Sequence, residues 1–295
     1  MSSRDGAVYV FLAIVWGHSF LLLLHVVEAF GWGASVPLRA LVAGLTLVVF
    51  SYLKGDSFHM SRHWKDHSIV GATAVAVFLV GMSYATPIIG TAMSAILVST
   101  IPLFSLCIGW LWGTEGFTAT KLVGLSLGIL GIVLLVGFPD QPLGGEFIIG
   151  CVVSIVGAMA NAFGSNYASR HMAGVPAVQV AYGSFIVGGL MTLPLLLVVP
   201  VPALPGLLDW GYLIIAGCVM SAMTYVIYFD LIKRIGATRT VSVEFAVTLI
   251  AVLLGALYLG ESLTNVQLAG AVSVFAGCLL VLGFINLKPR REVIA

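Results

Sequence analysis

The sequence predicts an all-α membrane protein in which ten transmembrane helices form two inverted five-helix repeats. The first observation is composition: 60% of the residues are hydrophobic and only 8% are charged, whereas about 25% are charged in a typical soluble domain. Such a chain cannot cover an apolar core with a polar surface. The second observation is a series of apolar runs of membrane-spanning length, and the third is an internal repeat at a constant offset.

Ten apolar runs account for most of the chain. A spanning helix needs about 20 mainly apolar residues, and glycine, proline or charged positions separate the runs. The first run continues well past the length of a signal-peptide core and lacks a small-residue cleavage site, so we interpret it as a retained helix. The predicted spans are residues 7–27, 34–53, 68–86, 91–112, 119–138, 146–168, 176–199, 208–230, 237–258 and 265–286.

Basic residues indicate how these spans are oriented. With a cytoplasmic N-terminus, 12 of the 13 Lys and Arg residues fall in cytoplasmic loops and tails, and only Arg39 lies toward the other side. Cytoplasmic loops of membrane proteins carry an excess of Lys and Arg. The distribution therefore predicts that both termini are cytoplasmic.

An internal repeat connects the two halves of the chain. The segments Gly109–Phe138 and Gly255–Phe284 agree at 10 of 30 positions without a gap, at an offset of 146 residues. A chain of this composition would match itself by chance at roughly a tenth of positions. Gly90 and Gly236 are separated by the same offset. We infer a duplication.

The repeat has a topological consequence. Each half holds five spans, which is an odd number, so the second half enters the membrane from the opposite side. We divide the chain into a first repeat, residues 1–142, and a second repeat of inverted topology, residues 143–295. Inverted repeats are typical of secondary transporters, because two similar halves can exchange conformations and expose one central site to each side in turn.

Several short motifs carry a family resemblance. They are "WGHSF" at Trp16–Phe20, Arg39 at the start of span 2, "IPLF" at Ile101–Phe104, and Glu115 and Glu261 before "GLSLGILG" and "GAVSVFAG". In these features the chain resembles the drug/metabolite transporter superfamily, specifically its ten-helix EamA-type exporters. The resemblance implies two inverted five-helix bundles with cytoplasmic termini. Within the family the chain is similar to the exporters of aromatic and neutral amino acids.

Glu244 is the first candidate for substrate binding. It lies inside span 9 and shares one helical face with Thr240 and Thr248. An ionisable group at membrane depth costs about 2.5–3.5 kcal/mol on insertion scales and tends to face a cavity. We predict that Glu244 faces a central cavity. The structural alternative is an ion pair with Arg239 or another basic group near the inner end.

Three polar or aromatic residues near the middle of other spans are further candidates. Trp16 and His18 lie in span 1, and Asn161 lies on a polar stripe of span 6. We predict that all three contact substrate. The alternative for His18 and Asn161 is a structural hydrogen bond between helices, which polar side chains commonly make in membranes.

Tyrosines in spans 7 and 8 complete the predicted site. Tyr182 and Tyr225 lie deep in their spans, where a phenol ring can stack on an apolar substrate while its hydroxyl orients it. Tyr228 shares a face with Tyr225 but lies near the span end, which is typical of the aromatic belt at a membrane interface. We therefore place Tyr182 and Tyr225, but not Tyr228, in the substrate site.

The recurring acids Glu115 and Glu261 are interpreted as architectural. Each precedes a threonine that can cap the next helix, and Thr264 to Gln267 fits a capping box. A carboxylate near a helix N-terminus also meets a favourable dipole. We expect both acids to act locally at the start of the following helix.

No motif for chemistry on a cofactor appears in the chain. The sequence has no phosphate-binding loop, nucleophile elbow or zinc motif. His59, His63 and His67 recur at a spacing of four, as metal ligands can, but no further ligand completes the set. We expect no cofactor, no metal and no nucleic-acid partner.

Together these features predict a secondary transporter of the cytoplasmic (inner) membrane rather than an enzyme. It would export small organic solutes, with neutral and aromatic amino acids as the leading class. One alternative is export of cationic drugs or other metabolites, in which Glu244 pairs with the cation. Another is an intramembrane enzyme that uses His18 and Glu244 as acid and base. The expected partners are a small-molecule substrate and the lipid bilayer. Small residues in spans 5 and 10 also allow a homodimer.

Overall fold

The computed structural model describes residues 3–55, 63–114, 116, 118–137, 144–202, 204–261 and 263–281. All regular structure in these ranges is helical, and they contain no strand. Seven helical segments of the described chain are long and apolar enough to cross a membrane, and two shorter apolar helices accompany them. The prediction of an all-α membrane protein is confirmed at this level.

The helices follow one another with short connections. They are α1 (Ser3–Leu53), α2 (Trp64–Val70), α3 (Phe78–Ile89), α4 (Thr91–Val98), α5 (Ile101–Leu111), α6 (Ala119–Gly137), α7 (Gly145–His171), α8 (Ala177–Thr192), α9 (Leu195–Val198), α10 (Leu207–Gly217), α11 (Thr224–Ile235), α12 (Ala237–Val241), α13 (Val243–Tyr258) and α14 (Asn265–Val281). Two π-helical segments, Gly71–Val77 and Cys218–Met223, connect α2 to α3 and α10 to α11. The helical path of α1 breaks at Gly31, where φ is 72° and ψ is 158°.

Two glycines of nearly identical backbone conformation join helices end to end. Gly90 (φ 84°, ψ 162°) separates α3 from α4, and Gly236 (φ 87°, ψ 162°) separates α11 from α12. Residues with a Cβ rarely adopt a positive φ in this region, whereas glycine does so at little cost. The π segments also recur, since residues 72–77 shifted by 146 positions are residues 218–223. The repeat offset of the sequence therefore has a backbone counterpart.

Large apolar side chains point outward along several helices. Leu45, Leu197 and Val272 are 58%, 90% and 67% exposed. A protein in water would bury such a surface, whereas hydrocarbon is an equally apolar environment for it. The main buried core lies inside the bundle, where α1 packs on α8, α10 and α13, and α3 packs on α7.

Helices α6 and α14 pack extensively on each other through glycines. A Cβ added to Gly124 would lie 2.5 Å from the Gly277 carbonyl oxygen, and one added to Gly131 would lie 2.6 Å from the Gly270 carbonyl oxygen. Shifting by 146 residues converts Gly124 to Gly270 and Gly131 to Gly277, so the two contacts exchange. These small residues serve packing within the chain, and nothing in their placement supports the expected homodimer.

Gly277→Val is expected to destabilise the protein. A Cβ at this position would lie 2.4 Å from the Gly124 carbonyl oxygen, so α6 and α14 must separate, and overpacking of this kind typically costs about 1–3 kcal/mol. Thermal unfolding in detergent measures the effect. Ala269→Val on the exposed face of α14 is the matched control. Equal melting temperatures for the two variants would contradict the close helix approach.

Candidate functional site

A buried cavity lies at the centre of the bundle, between helices from both halves of the chain. Its walls come from both arms of α1 and from α3, α4, α7, α11 and α13. Its volume is about 30 Å³, enough for about two or three water molecules, since one water needs roughly 10–15 Å³ by this measure. The lining residues are Trp16, Ser19, Phe20, Arg39, Phe78, Leu79, Met82, Val98, Asn161, Tyr225, Tyr228, Glu244 and Val247.

Three aromatic rings form one wall of the cavity. The ring centroid of Trp16 lies 5.6 Å from that of Tyr225 and 5.2 Å from that of Tyr228. The Trp16 indole N–H donates to Thr224 Oγ1 at 3.0 Å, which fixes the ring orientation. Tilted and edge-to-face pairs at such distances are favourable. The wall is therefore held in place by contacts between its rings and by hydrogen bonds from Trp16 to Thr224 Oγ1 and to the Met220 carbonyl oxygen.

Polar side chains of α7 meet the tyrosines of α11. The Tyr228 hydroxyl and Ser165 Oγ are 2.8 Å apart, and Ser165 Oγ donates to Asn161 Oδ1 at 3.4 Å. The Tyr225 hydroxyl interacts with the Asn161 side chain. Asn161 therefore joins α7 to α11 through its interaction with Tyr225, and it also lines the cavity.

The Glu244 carboxylate enters the cavity from the first turn of α13. The residue is 8% exposed, and its side chain has no hydrogen bond or ion pair with any other described residue. Its own backbone carbonyl accepts a hydrogen bond from Thr248 Oγ1 at 2.7 Å. Arg239 is exposed and forms no ion pair with Glu244, so that structural alternative is not observed.

Arg39 supplies the opposite charge to the same cavity. It is 8% exposed and reaches the cavity from the second arm of α1. Its Nε donates to Ser221 Oγ at 2.8 Å. No carboxylate among the described residues pairs with its guanidinium. In the sequence, Arg39 was assigned to the orientation pattern and to the family resemblance but not to the site, although a charge inside an apolar run was the available signal.

Four of the six predicted site residues come together here: Trp16, Asn161, Tyr225 and Glu244. The structure corrects the placement of the other two. His18 lies on the exposed face of α1, because two residues rotate a helix by about 200° from Trp16, and its Nδ1 lies 2.8 Å from the Ile14 carbonyl oxygen.

Tyr182 is fully buried in the main core, and none of the described cavity-lining residues belongs to its helix, α8. Tyr228, which we assigned to a membrane interface, lines the cavity instead. Tyr228 reaches the cavity because it lies three residues after Tyr225, and residues at that spacing share a helical face. Depth in a span was therefore a poorer guide than helical phase.

Glu261 acts across the two halves rather than on its own helix. Its carboxylate accepts hydrogen bonds from Thr91 N–H at 2.7 Å, Thr91 Oγ1 at 2.7 Å and Ala92 N–H at 2.8 Å. It therefore caps α4, directly after the Gly90 break. The capping box is present as predicted, since Thr264 N–H donates to Gln267 Oε1 at 2.9 Å and Gln267 N–H to Thr264 Oγ1 at 3.0 Å. Glu115 lies outside the described residues.

The histidines of the polar loop do not form a metal site within the described chain. His63 Nδ1 lies 3.3 Å from Asp66 Oδ2, and His67 is buried against Gly183, while His59 lies outside the described ranges. No group of three or more metal-ligating side chains occurs among the described residues.

Comparison with known proteins gives a consistent set of relatives. The model of the EamA-like transporter family matches residues 5–137 and again residues 148–283. The uncharacterized inner membrane transporter YedA of Escherichia coli K12 is 29% identical, covering 98% of this chain and 94% of its own length. PecM of Dickeya dadantii is 28% identical, covering 99% and 96%. The uncharacterized inner membrane transporter YicL of Salmonella typhimurium is 26% identical, covering 99% and 98%.

A solved structure shares the fold. One crystal structure superposes with a TM-score of 0.70 over 96% of this chain and 99% of its own chain, at 15% sequence identity. At this identity the likeness describes the helix arrangement alone.

Proposed function

This chain belongs to the EamA-like transporter family, and we propose that it exports neutral and aromatic amino acids as a secondary transporter by alternating access. Family membership indicates a transporter rather than an enzyme. The observation that carries the substrate proposal is the central cavity, where the rings of Trp16, Tyr225 and Tyr228 stand beside the polar groups of Asn161, Arg39 and Glu244. Aromatic walls suit an apolar side chain, and the polar groups suit an amino acid backbone.

The proposed architecture is ten spans in two inverted repeats, residues 1–142 and 143–295. The break at Gly31 divides Ser3–Leu53 into two arms, and the two shorter apolar helices add two more spans to the seven longer segments. The family model matches once in each half. The matched Gly90 and Gly236 conformations and the exchanging glycine contacts of α6 and α14 support the same symmetry.

The proposed orientation has both termini in the cytoplasm and the protein in the inner membrane. The basic residues support this orientation through the positive-inside rule, and the names of YedA and YicL place those relatives in an inner membrane.

In this orientation, hydrogen bonds join the cytoplasmic ends of helices from both halves. Asn166 Nδ2 donates to Ser105 Oγ at 2.7 Å, and Ser105 Oγ lies 3.2 Å from Thr238 Oγ1. A cavity of about 30 Å³ is too small for an amino acid, so the cycle requires these helices to separate when substrate enters from the cytoplasm.

Purified protein in liposomes tests the proposed function. We expect faster initial uptake or counterflow of neutral and aromatic amino acids than in liposomes without protein, with each solute recovered chemically unchanged. Chemical conversion of the solute would instead indicate the intramembrane enzyme. The unpaired Glu244 favours a second candidate, export of cationic drugs or metabolites. Transport of organic cations with no movement of any amino acid would replace the first proposal by the second.

A further inference from the structure

We propose that the central cavity recognises both charges of a zwitterion, with Glu244 binding an ammonium group and Arg39 binding a carboxylate. This inference rests on the proposed function, because it assigns the recognition of an amino acid to two side chains of the same cavity. It goes further in requiring both charges on one ligand. A purely cationic or purely anionic solute would satisfy only one of the two residues.

The first support is the burial of two opposite charges that face one cavity without a partner. Glu244 and Arg39 are both 8% exposed, and both line the cavity. Neither forms an ion pair with any described residue, including each other. A charge inside a membrane protein is costly unless it is paired or hydrogen-bonded. A ligand that brings the complementary charges to both ends satisfies both groups at once.

The second support is the orientation of the Arg39 guanidinium. Its Nε is engaged by Ser221 Oγ at 2.8 Å, and its terminal nitrogens have no hydrogen bond with the described residues. Planar guanidinium groups bind carboxylates through two parallel N–H donors. Ser221 therefore fixes the side chain while the terminal donors stay available for a ligand carboxylate.

The third support is the aromatic wall that accompanies the two charges. Tyr225 lines the same cavity as Arg39 and Glu244, and its ring stands beside Trp16 in the wall. The charged groups thus flank an aromatic surface, on which the side chain of an amino acid can pack while its two charged groups reach Glu244 and Arg39.

The specificity of the site follows because a ligand with only one of the two charged groups leaves one buried side chain without a partner. An amine without a carboxylate leaves the buried Arg39 unsatisfied, and a carboxylic acid without an amine leaves Glu244 unsatisfied. Sites built around buried polar groups reject analogues that lack the matching group far more strongly than apolar pockets reject a missing methylene. The two charges therefore select zwitterions over the organic cations of the second candidate function.

Three ligands with the same phenyl ring separate these contributions: phenylalanine, phenethylamine, which lacks the carboxylate, and 3-phenylpropionate, which lacks the amine. Transport of each is measured in liposomes containing wild-type protein, Glu244→Gln or Arg39→Gln. We expect wild-type protein to prefer phenylalanine over either analogue by at least about tenfold. If another amino acid is transported faster than phenylalanine, the same comparison is made with that amino acid, its amine without the carboxylate and its acid without the amine.

The two variants should change selectivity in opposite directions. Glu244→Gln should lower transport of phenylalanine and phenethylamine and spare 3-phenylpropionate, whereas Arg39→Gln should lower phenylalanine and 3-phenylpropionate and spare phenethylamine. Glu28→Gln and Arg239→Gln, at exposed positions, should keep the wild-type order. If Arg39→Gln does not fold, Arg39→Lys tests the same point, because it keeps the charge but loses the two parallel donors.

The outcomes separate the two proposals. If wild-type protein transports amino acids but each variant lowers all three ligands by the same factor, the zwitterion inference is overturned and the proposed function stands. If wild-type protein transports phenethylamine at the same rate as phenylalanine, the role of Arg39 is overturned. If it transports no amino acid at all, the proposed function fails and this inference fails with it.

Discussion

Glu244→Gln is expected to lower the initial transport rate per folded molecule by about 100-fold, because removing one partner of a buried charge interaction costs about 2–5 kcal/mol. Glutamine keeps the shape of the side chain and can still form hydrogen bonds, but it no longer carries the charge that binds a substrate ammonium. The rate is measured in liposomes and normalised to folded protein.

The stability of Glu244→Gln, in contrast to its transport rate, should be unchanged or higher than that of the wild-type protein. Glu244 has no ionic partner in the described chain, so its neutralisation strands no cation, and it relieves an insertion cost of about 3 kcal/mol. The melting temperature in detergent should therefore be unchanged or higher. Glu28→Gln, which removes an exposed carboxylate, is the control for loss of charge alone. A near-normal rate together with a lower melting temperature would remove Glu244 from the binding site.

Glu261→Ala is expected to lower the free energy of unfolding by about 3 kcal/mol or more. The carboxylate accepts three hydrogen bonds at the N-terminus of α4, at 2.7, 2.7 and 2.8 Å, and hydrogen bonds to charged groups contribute about 1.5–3 kcal/mol each. Alanine leaves the N–H groups of Thr91 and Ala92 without this acceptor, next to the positive-φ turn at Gly90. Thermal unfolding in detergent measures the loss.

A cap that acts only on its own helix provides the comparison. Asp209 Oδ2 accepts a hydrogen bond from Gly206 N–H at 2.8 Å near the surface, so Asp209→Ala should cost only about 1 kcal/mol. Glu261→Gln should fall between the two, since its amide oxygen still accepts hydrogen bonds but carries no charge. An effect of Glu261→Ala no larger than that of Asp209→Ala would show that the contact between the halves contributes little.

Part of the site was predictable because the spacing of residues along a helix determines which of them share a face. Glu244 combines a charge with an apolar run, and such a residue is costly unless it faces a cavity or a partner. The same logic applied to Arg39, but the orientation rule gave it another explanation. His18 shows the limit of depth as a criterion: it lies near the middle of its span yet two residues from Trp16, so it points away from the cavity.

The sequence by itself determined that the chain is helical and apolar enough for a membrane, because composition and run length are local properties. It also predicted a duplication, and at the 146-residue offset Gly90 and Gly236 have nearly the same backbone conformation. Only the tertiary structure decided that Glu261 caps α4 of the other half and that Arg39 and Glu244 share one cavity. The residues brought together in this way are 170 and more than 200 positions apart. Helix periodicity specifies which face a residue occupies but not which distant helix packs against that face.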